Sequence, residues 1–526
     1  MKSQLLASSL ALSFALLTGF VALSAVVAAD PAPAPVPPAA SLLKPAAVFS
    51  DHMVLQRGRP VPIWGAAPPD LKITVTFRDQ VKTATAAADG SWKVILDPLQ
   101  VGGPEELKIN ELTLTDVLVG DVWVGSGQSN MAMNVSSYVK GDPVLAKLAA
   151  ETYPQVRFSA NGGAWWTSDD KGNARISATL FAFGVYLHKE INVPVGLMVG
   201  AVGGTPSGFW LTEDMLKSDA AAQASLAKIP LSNFDELKKK YESDLAAWPE
   251  AVAKAKETHA KEPKKPTPPL RPGESTGVIG NLFEKHVRPM VGYAITGVLW
   301  DQGESGTNIS GLDQYHAMGA LIGGWRKLWG QGEFPFIYIQ KPTGGGCGWD
   351  AAPPRNGFSE AFSPLPAAVP NDGEYLETHI RIMTYPNTAM TISSDLGAAL
   401  HPPNKSGYGQ RSAEVALGLV YGKKIAYYGP MYAAHTVADG KVTVTFSHVG
   451  TGLAFKNGDK LQGFAIAGED KAFQWADAVI AGETVVLSSS KVTKPVHVRY
   501  AWSGKRTWAN LFSQDGLPAI PFRTDR

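Results

Sequence analysis

The run Val117-Leu118-Val119-Gly120-Asp121-Val122-Trp123-Val124-Gly125-Ser126, which ends in Gly127-Gln128-Ser129-Asn130-Met131, constrains the fold more than any other stretch. A nearly unbroken apolar strand is soluble only where both faces are covered, as in a parallel sheet flanked by helices. Small residues at its end allow a tight turn at the mouth of the sheet, and such a turn can lift one hydroxyl, that of Ser129, clear of its neighbours. Serine is a weak nucleophile near neutral pH, so this reading demands a distant base and donors for a developing oxyanion. Taken alone, Ser129 reads equally well as a turn serine bonded to its own backbone.

Similar runs follow. Residues 194–199, 295–300 and 336–340 are near-continuous apolar segments separated by helical spacing, so an α/β core is expected over 116–422. Within it, 234–262 has helical spacing with many Lys and Glu, and 263–272 is a proline-rich break. Together they predict a solvent-facing helical insertion over about 213–290. The flanks have a shorter period. Over 48–115 the alternating runs 61–64, 73–77 and 92–96, punctuated by Pro68, Gly90 and Gly102-Gly103, predict a small antiparallel β module. Over 423–526 the runs 442–446, 484–488 and 496–500 predict a second β region.

Residues 1–29 carry Lys2, an apolar stretch from Leu5 to Ala28 and small residues before Asp30, the layout of an export signal; an uncleaved membrane anchor is the alternative. Either sends the remainder across a membrane, so a secreted or periplasmic location is expected. Residues 30–47 are dominated by Pro and Ala and read as a stiff linker. Lys plus Arg number 48 against 47 Asp plus Glu, a formal charge of +1. That balance argues against general affinity for nucleic acid or acidic lipid, so no nucleic acid and no stable membrane contact after signal removal are expected. Cys347 is the only cysteine, which excludes an internal disulfide and a thiolate metal cluster.

Three further segments can carry chemistry. Val202-Gly203-Gly204-Thr205 follows an apolar run, and glycines there let a backbone N–H approach a ligand; a plain tight turn needs glycine as well. In Trp300-Asp301-Gln302-Gly303-Glu304-Ser305, Gln302 can donate an amide N–H to an oxyanion that a carboxylate would repel. Glu304 can instead brace its loop through hydrogen bonds. His401 stands in Asp395-Leu396-Gly397-Ala398-Ala399-Leu400-His401-Pro402-Pro403-Asn404-Lys405, pinned by two prolines ahead of a helical 408–419. Imidazole titrates near neutral pH, so His401 is the expected base. His52, His435 and His448 fall in the β regions and are not expected to be catalytic.

Five ordered segments, Phe49-Ser50-Asp51-His52-Met53-Val54-Leu55-Gln56-Arg57, Ser126-Gly127-Gln128-Ser129-Asn130-Met131, Gln302-Gly303-Glu304-Ser305, His401-Pro402-Pro403-Asn404-Lys405 and Gly516-Leu517-Pro518-Ala519-Ile520-Pro521-Phe522-Arg523-Thr524-Asp525, together resemble the sialate O-acetylesterase family, a branch of the SGNH-type hydrolases. The resemblance runs from Val48 to Asp525. It implies a flavodoxin-like α/β hydrolase core with a parallel sheet, N-terminal and C-terminal antiparallel β modules, an O-acetylated sugar as substrate, no metal and no cofactor. It implies Ser129 as nucleophile, His401 as base and an oxyanion hole from the Ser129 N–H, the glycine turn and Gln302. Of the two glycines, Gly203 is preferred to Gly204 because Thr205 stands two residues after it. Asn130, Glu304 and Asp301 fall on the substrate side.

Two departures from that family matter. Many SGNH enzymes carry an acid two or three residues before the histidine, where this chain has Ala399 and Ala398. Asp395 can serve only if its loop folds back; otherwise the chemistry rests on a Ser-His pair. Asp301 stands where relatives commonly carry Tyr, and a carboxylate at the pocket edge would disfavour an anionic sugar. Acetylated xylan or another polysaccharide therefore stays open as substrate. A non-catalytic carbohydrate-binding protein is the alternative of another class, although an inert binder has no need of serine, donors and histidine together. Trp165-Trp166, Phe209-Trp210 and Trp349 can line a sugar platform or sit in the core.

Overall fold

The computed structural model describes residues 42–348, 359–397 and 399–526. The expected export signal, most of the Pro/Ala linker, Trp349 and Ala398 lie outside the described residues. The linker is shorter than its composition suggests, because Lys44–Pro45 pairs with Gly65 and Ala66 of the N-terminal β module.

The 16-residue strand β1 (Leu112–Gly127) organises everything around it. Its beginning pairs antiparallel with Gly102–Ile109, and Leu118 to Gly120 pair parallel with Val54–Gln56. β1 then gains two parallel partners, β3 (Val195–Ala201) from Asp121 onward and β4 (Gly297–Asp301) from Trp123 onward. Burial changes with the company: the first five residues are mostly exposed, and every residue from Val117 to Gly127 is buried. One strand thus passes from a sheet with a wet face to a sheet covered on both faces. The border expected between 115 and 116 falls inside this strand.

With β2 (Val156–Ala160), β5 (Phe336–Ile339) and β6 (Thr388–Thr391), the parallel order is β2-β3-β1-β4-β5-β6. The chain moves to one side of β1 for β2 and β3 and to the other for β4 to β6. The order therefore reverses at β1, and a ligand crevice is expected beyond its C-terminal end. The short helix α1 (Ser129–Ala132) starts there. Helices α2 (Ala178–Ile191), α3 (Leu231–Glu257), α4 (Gln314–Trp329) and α5 (Lys405–Leu419) follow in chain order. A Cβ on Gly409 of α5 would lie 2.5 Å from the Ala182 Cβ of α2, so glycine lets these two helices close on each other. Among the described residues no helix is long and apolar enough to cross a membrane.

The insertion is solvent-facing in its middle and packed at both ends. Helix α3 buries only Ala255 and carries pairs such as Lys240 with Asp244 on its surface. It ends at Glu257, earlier than its Lys and Glu content suggests. Met215, Leu216, Ala222 and Leu226 before it, and Phe283, Val287 and Met290 after it, join the main core.

The two flanking β regions differ in how they are built. In the N-terminal one, Val61–Ala66 pairs antiparallel with Ser91–Leu96, and Lys72–Phe77 with Gln80–Thr85. Its buried Ile63, Ile73, Val75 and Phe77 belong to the same apolar cluster as the parallel sheet. Gln56 adds polar stitching, its Oε1 accepting from the Val122 N–H at 2.8 Å and from Thr296 Oγ1 at 2.9 Å. The C-terminal region has two four-stranded antiparallel sheets and a separate cluster that includes Val442, Val444, Phe464, Ile466, Leu487 and Val498.

Candidate active site

At the end of β1 the backbone of Gly127 has φ +127°, and a Cβ there would stand 2.2 Å from the Asp301 carbonyl oxygen. Only glycine fits. The Gln128 N–H donates to Asp301 O at 2.8 Å, and Gly127 O accepts from the Val202 N–H at 3.1 Å, so both neighbouring strands grip the turn. Gln128 and Asn130 are buried, and the Ser129 side chain between them is the one that reaches outward.

The histidine arrives from the other end of the domain. Arg411 and Asp395 tie α5 to the loop after β6, and Asn404 caps α5 by accepting from the Gly407 N–H at 2.9 Å. The next residues are fixed by Asp142, which accepts from the Ser406 N–H and Oγ, both at 2.8 Å. With the start of α5 so anchored, His401 lies exposed on the preceding loop, its Nε2 at 2.9 Å from Ser129 Oγ across 272 positions of sequence.

Beside the hydroxyl stands Gly203: a Cβ built on it would lie 3.4 Å from the Ser129 Cβ. Gly204, with φ +70°, faces open space. The first amides of a helix have no intrahelical acceptor, and among the described residues neither the Ser129 nor the Gly203 N–H has a backbone partner. Both are available to a ligand oxygen. A groove of about 910 Å³ beside the insertion, lined in part by Leu226, Leu231 and Val278, contains none of these residues.

Beneath the pair lies a buried polar floor. Glu304 accepts from Gln128 Nε2, from Asn130 Nδ2 at 3.1 Å and from Lys341 Nζ at 2.5 Å. Lys341 Nζ is also 2.6 Å from Asp301 Oδ1. Burial works against the Lys341 ammonium, but Asp301 and Glu304 outweigh it and hold its pKa above the ordinary lysine value. Asn130 Nδ2 further donates to Leu400 O at 3.1 Å, and Asn130 Oδ1 accepts from Lys405 Nζ at 2.6 Å. Burial pulls the Lys405 ammonium down to about 7; Asp301, Glu304 and Asp142 oppose that pull, and Lys341 adds to it. Among the described residues no group of three or more His, Cys, Asp or Glu is arranged to hold a metal ion.

No protein-family model matches the chain. Proteins named sialate O-acetylesterase from Pongo abelii and Homo sapiens are each 26% identical to it, over 91% of this chain and 91% of their own length. The chain is thus similar along nearly its whole length to proteins named sialate O-acetylesterase. Among solved structures, a carbohydrate acetylesterase from Xanthomonas citri matches with a TM-score of 0.70 and 26% identity, over 92% of this chain and 99% of that one. The likeness therefore extends well beyond the parallel core.

The other residues singled out in the sequence have partners of their own in the structure. Gln302 does not present its amide to the hydroxyl: Nε2 donates to Thr205 O at 3.3 Å and Gly306 O at 3.0 Å, and Oε1 accepts from Gln314 Nε2 at 3.1 Å. A buried amide must satisfy its own N–H groups, and here it does so by tying two loops together. Asp395 gives both oxygens to Arg411, at 2.6 and 3.0 Å, and among the described residues no bond joins it to His401. Asp301 is not at a pocket edge; it is 1% exposed and faces Lys341, which removes the argument against an anionic sugar. Asn130 and Glu304, placed on the substrate side, are engaged in the floor. Trp165 and Trp210 are core residues, donating to Val48 O and Thr205 Oγ1. Sequence reasoning passed over Lys341 and Lys405 as functional groups. A lysine two residues after the fully buried β5 was the available signal for the first.

Proposed function

We propose that this chain is a carbohydrate O-acetylesterase that works through an acetylated serine on an SGNH-type core. The observation that carries the reading is the 2.9 Å contact between His401 Nε2 and Ser129 Oγ at the reversal point of a parallel sheet. Its relatives' names, which point to O-acetylated sialic acid and to carbohydrate acetyl esters, agree with it.

In this mechanism His401 Nε2 takes the Ser129 proton as Oγ attacks the acetyl carbonyl carbon. The tetrahedral oxyanion accepts hydrogen bonds from the Ser129 and Gly203 N–H groups, which are fixed before the reaction starts. The imidazolium returns the proton to the sugar oxygen as the C–O bond breaks, and the sugar leaves as an alcohol. Water then loses a proton to His401, attacks the acetyl-serine and releases acetate, restoring the Ser129 hydroxyl. With Asp395 held by Arg411, the machinery is a Ser-His pair. The export-signal layout of 1–29 supports a secreted or periplasmic site of action.

Ser129→Ala should lower acetate release by about 10⁴-fold or more, as removal of an acyl-enzyme nucleophile does, with an unchanged melting temperature. Retained hydrolysis would refute the assignment. Comparing acetate release from O-acetylated sialoglycan and acetylated xylan then separates the two sugar classes.

A further inference from the structure

The mechanism above leaves Asn130 and Lys405 without a role, although both are buried directly under the reacting pair. His401 and Leu400 are exposed, Leu400 by 65%, so the loop's apolar anchorage comes after the imidazole, at the buried Pro402, and leaves the Leu400 side of it to polar contacts. Nor does Asp395 hold the imidazole, since Arg411 takes its carboxylate. What reaches the loop from below is Asn130. Its Nδ2 donates to the carbonyl of Leu400, the residue before His401, and its own backbone is the next after Ser129. Its carbonyl accepts from Thr179 Oγ1 of α2 at 3.0 Å, which fixes the backbone as well. One side chain therefore spans from the nucleophile turn to the base.

We propose that Asn130, with its amide polarised by Lys405, is the positioning residue that keeps the His401 imidazole on the Ser129 hydroxyl, in place of an orienting acid. The inference rests on the Ser-His reading of this site. An amide can turn end for end, and only its partners decide which way it lies. Here a cation faces Oδ1 at 2.6 Å, while two acceptors, Leu400 O and Glu304 Oε1, face Nδ2 at 3.1 Å. The turned amide would set oxygen against both acceptors and N–H groups against an ammonium. Lys405 itself cannot drift. It is the first residue of α5, next to the Asn404 cap, with its Nζ 4.8 Å from the Tyr138 ring centre and 5.6 Å from that of Tyr408. Among the described residues, the bonds of these two side chains run to Glu304, Leu400 O and each other, so their effect on the reaction is through the loop.

The test uses the full chain with Asn130→Ala, Asn130→Asp, Lys405→Met and the Asn130→Ala/Lys405→Met double variant. Active sites are titrated to completion with a fluorophosphonate, and kcat is expressed per titrated site. Each single variant is expected to lose 10-fold or more in kcat, with KM for a small acetyl ester within threefold of wild type. The double variant should lose no more than the worse single, because the two act as one unit. A residue that merely supports the fold would lower the titrated fraction and leave kcat per site unchanged. Should Asn130→Ala fail to fold, the near-isosteric Asn130→Asp still removes the donor to Leu400 O. Values of kcat per site within twofold of wild type in the Asn130 variants and Lys405→Met, or additive losses in the double, overturn the inference. If Ser129→Ala is inactive in the same assay, that result leaves the esterase reading intact; an active Ser129→Ala removes both.

Discussion

Ser129 stands at the end of a strand whose last eleven residues are all buried, in a turn gripped by the strands on either side. His401 stands on an exposed stretch of loop that, among the described residues, is tied to the Ser129 turn by its own bond to Ser129 and by the Asn130 bond to Leu400 O. Both ends of one hydrogen bond must be placed to within a few tenths of an ångström, yet the sheet places the first and a handful of buried polar groups place the second. A change to the backbone of the Ser129 turn, at Gly127, should therefore break the fold, whereas one on the histidine side should disturb local stability or rate. Gly127→Ala tests the first half at its strongest. Its Cβ would meet the Asp301 carbonyl at 2.2 Å on a backbone at φ +127°, and neither strand can move without shifting the sheet. The expected loss exceeds about 4 kcal/mol in urea unfolding, in the range reserved for severe core damage. A soluble variant with the wild-type midpoint would show that the sheet does not set this turn.

Asp395→Asn examines the histidine side at the point where its helix is anchored. The carboxylate and the Arg411 guanidinium are both fully buried, so removing one charge leaves the other uncompensated. About 3 kcal/mol is expected, the lower end for breaking a buried pair, because the amide keeps a hydrogen bond. The expectation for catalysis is the opposite. Measured below the melting transition, kcat should stay within a few-fold of wild type, and a 10⁴-fold loss would return Asp395 to the role of a catalytic acid.

The same contrast explains which parts of the architecture were legible in the sequence. The burial of β1, β4 and β5 on both faces leaves a continuous apolar run, and a serine or a histidine at the end of such order is conspicuous. The change from alternating to continuous burial near Val117 was equally visible, and it marks a change of surroundings within one strand. The partners of Gln302 were not legible because the same two N–H groups suit an oxyanion or two loop carbonyls, and only the fold brings Thr205 O and Gly306 O to them. Lys341 and Lys405 are indistinguishable in composition from the lysines of α3, which are solvated. What makes them structural is the arrival of Asp301, Glu304 and Asn130 from distant parts of the chain.

Lys405 also gives the comparison its finest test, because it belongs to the floor under the histidine loop and its folded pKa lies near 7. In the unfolded chain a lysine binds its proton up to about 10.4. Between these values the unfolded state carries more protons than the folded one, so this group makes stability rise with pH from about 7 to about 10; below that window its contribution is flat. Urea midpoints measured at pH 7 and pH 9 should therefore show a gain of about 2 kcal/mol in the wild type relative to Lys405→Met. Parallel curves for the two proteins would mean that the ammonium is not desolvated by its neighbours, and that Asn130 Oδ1 faces a lysine that water already satisfies. The nucleophile turn, built from glycine and backbone hydrogen bonds, has no titrating group of its own, and Ser129→Ala should leave the slope as it is in the wild type.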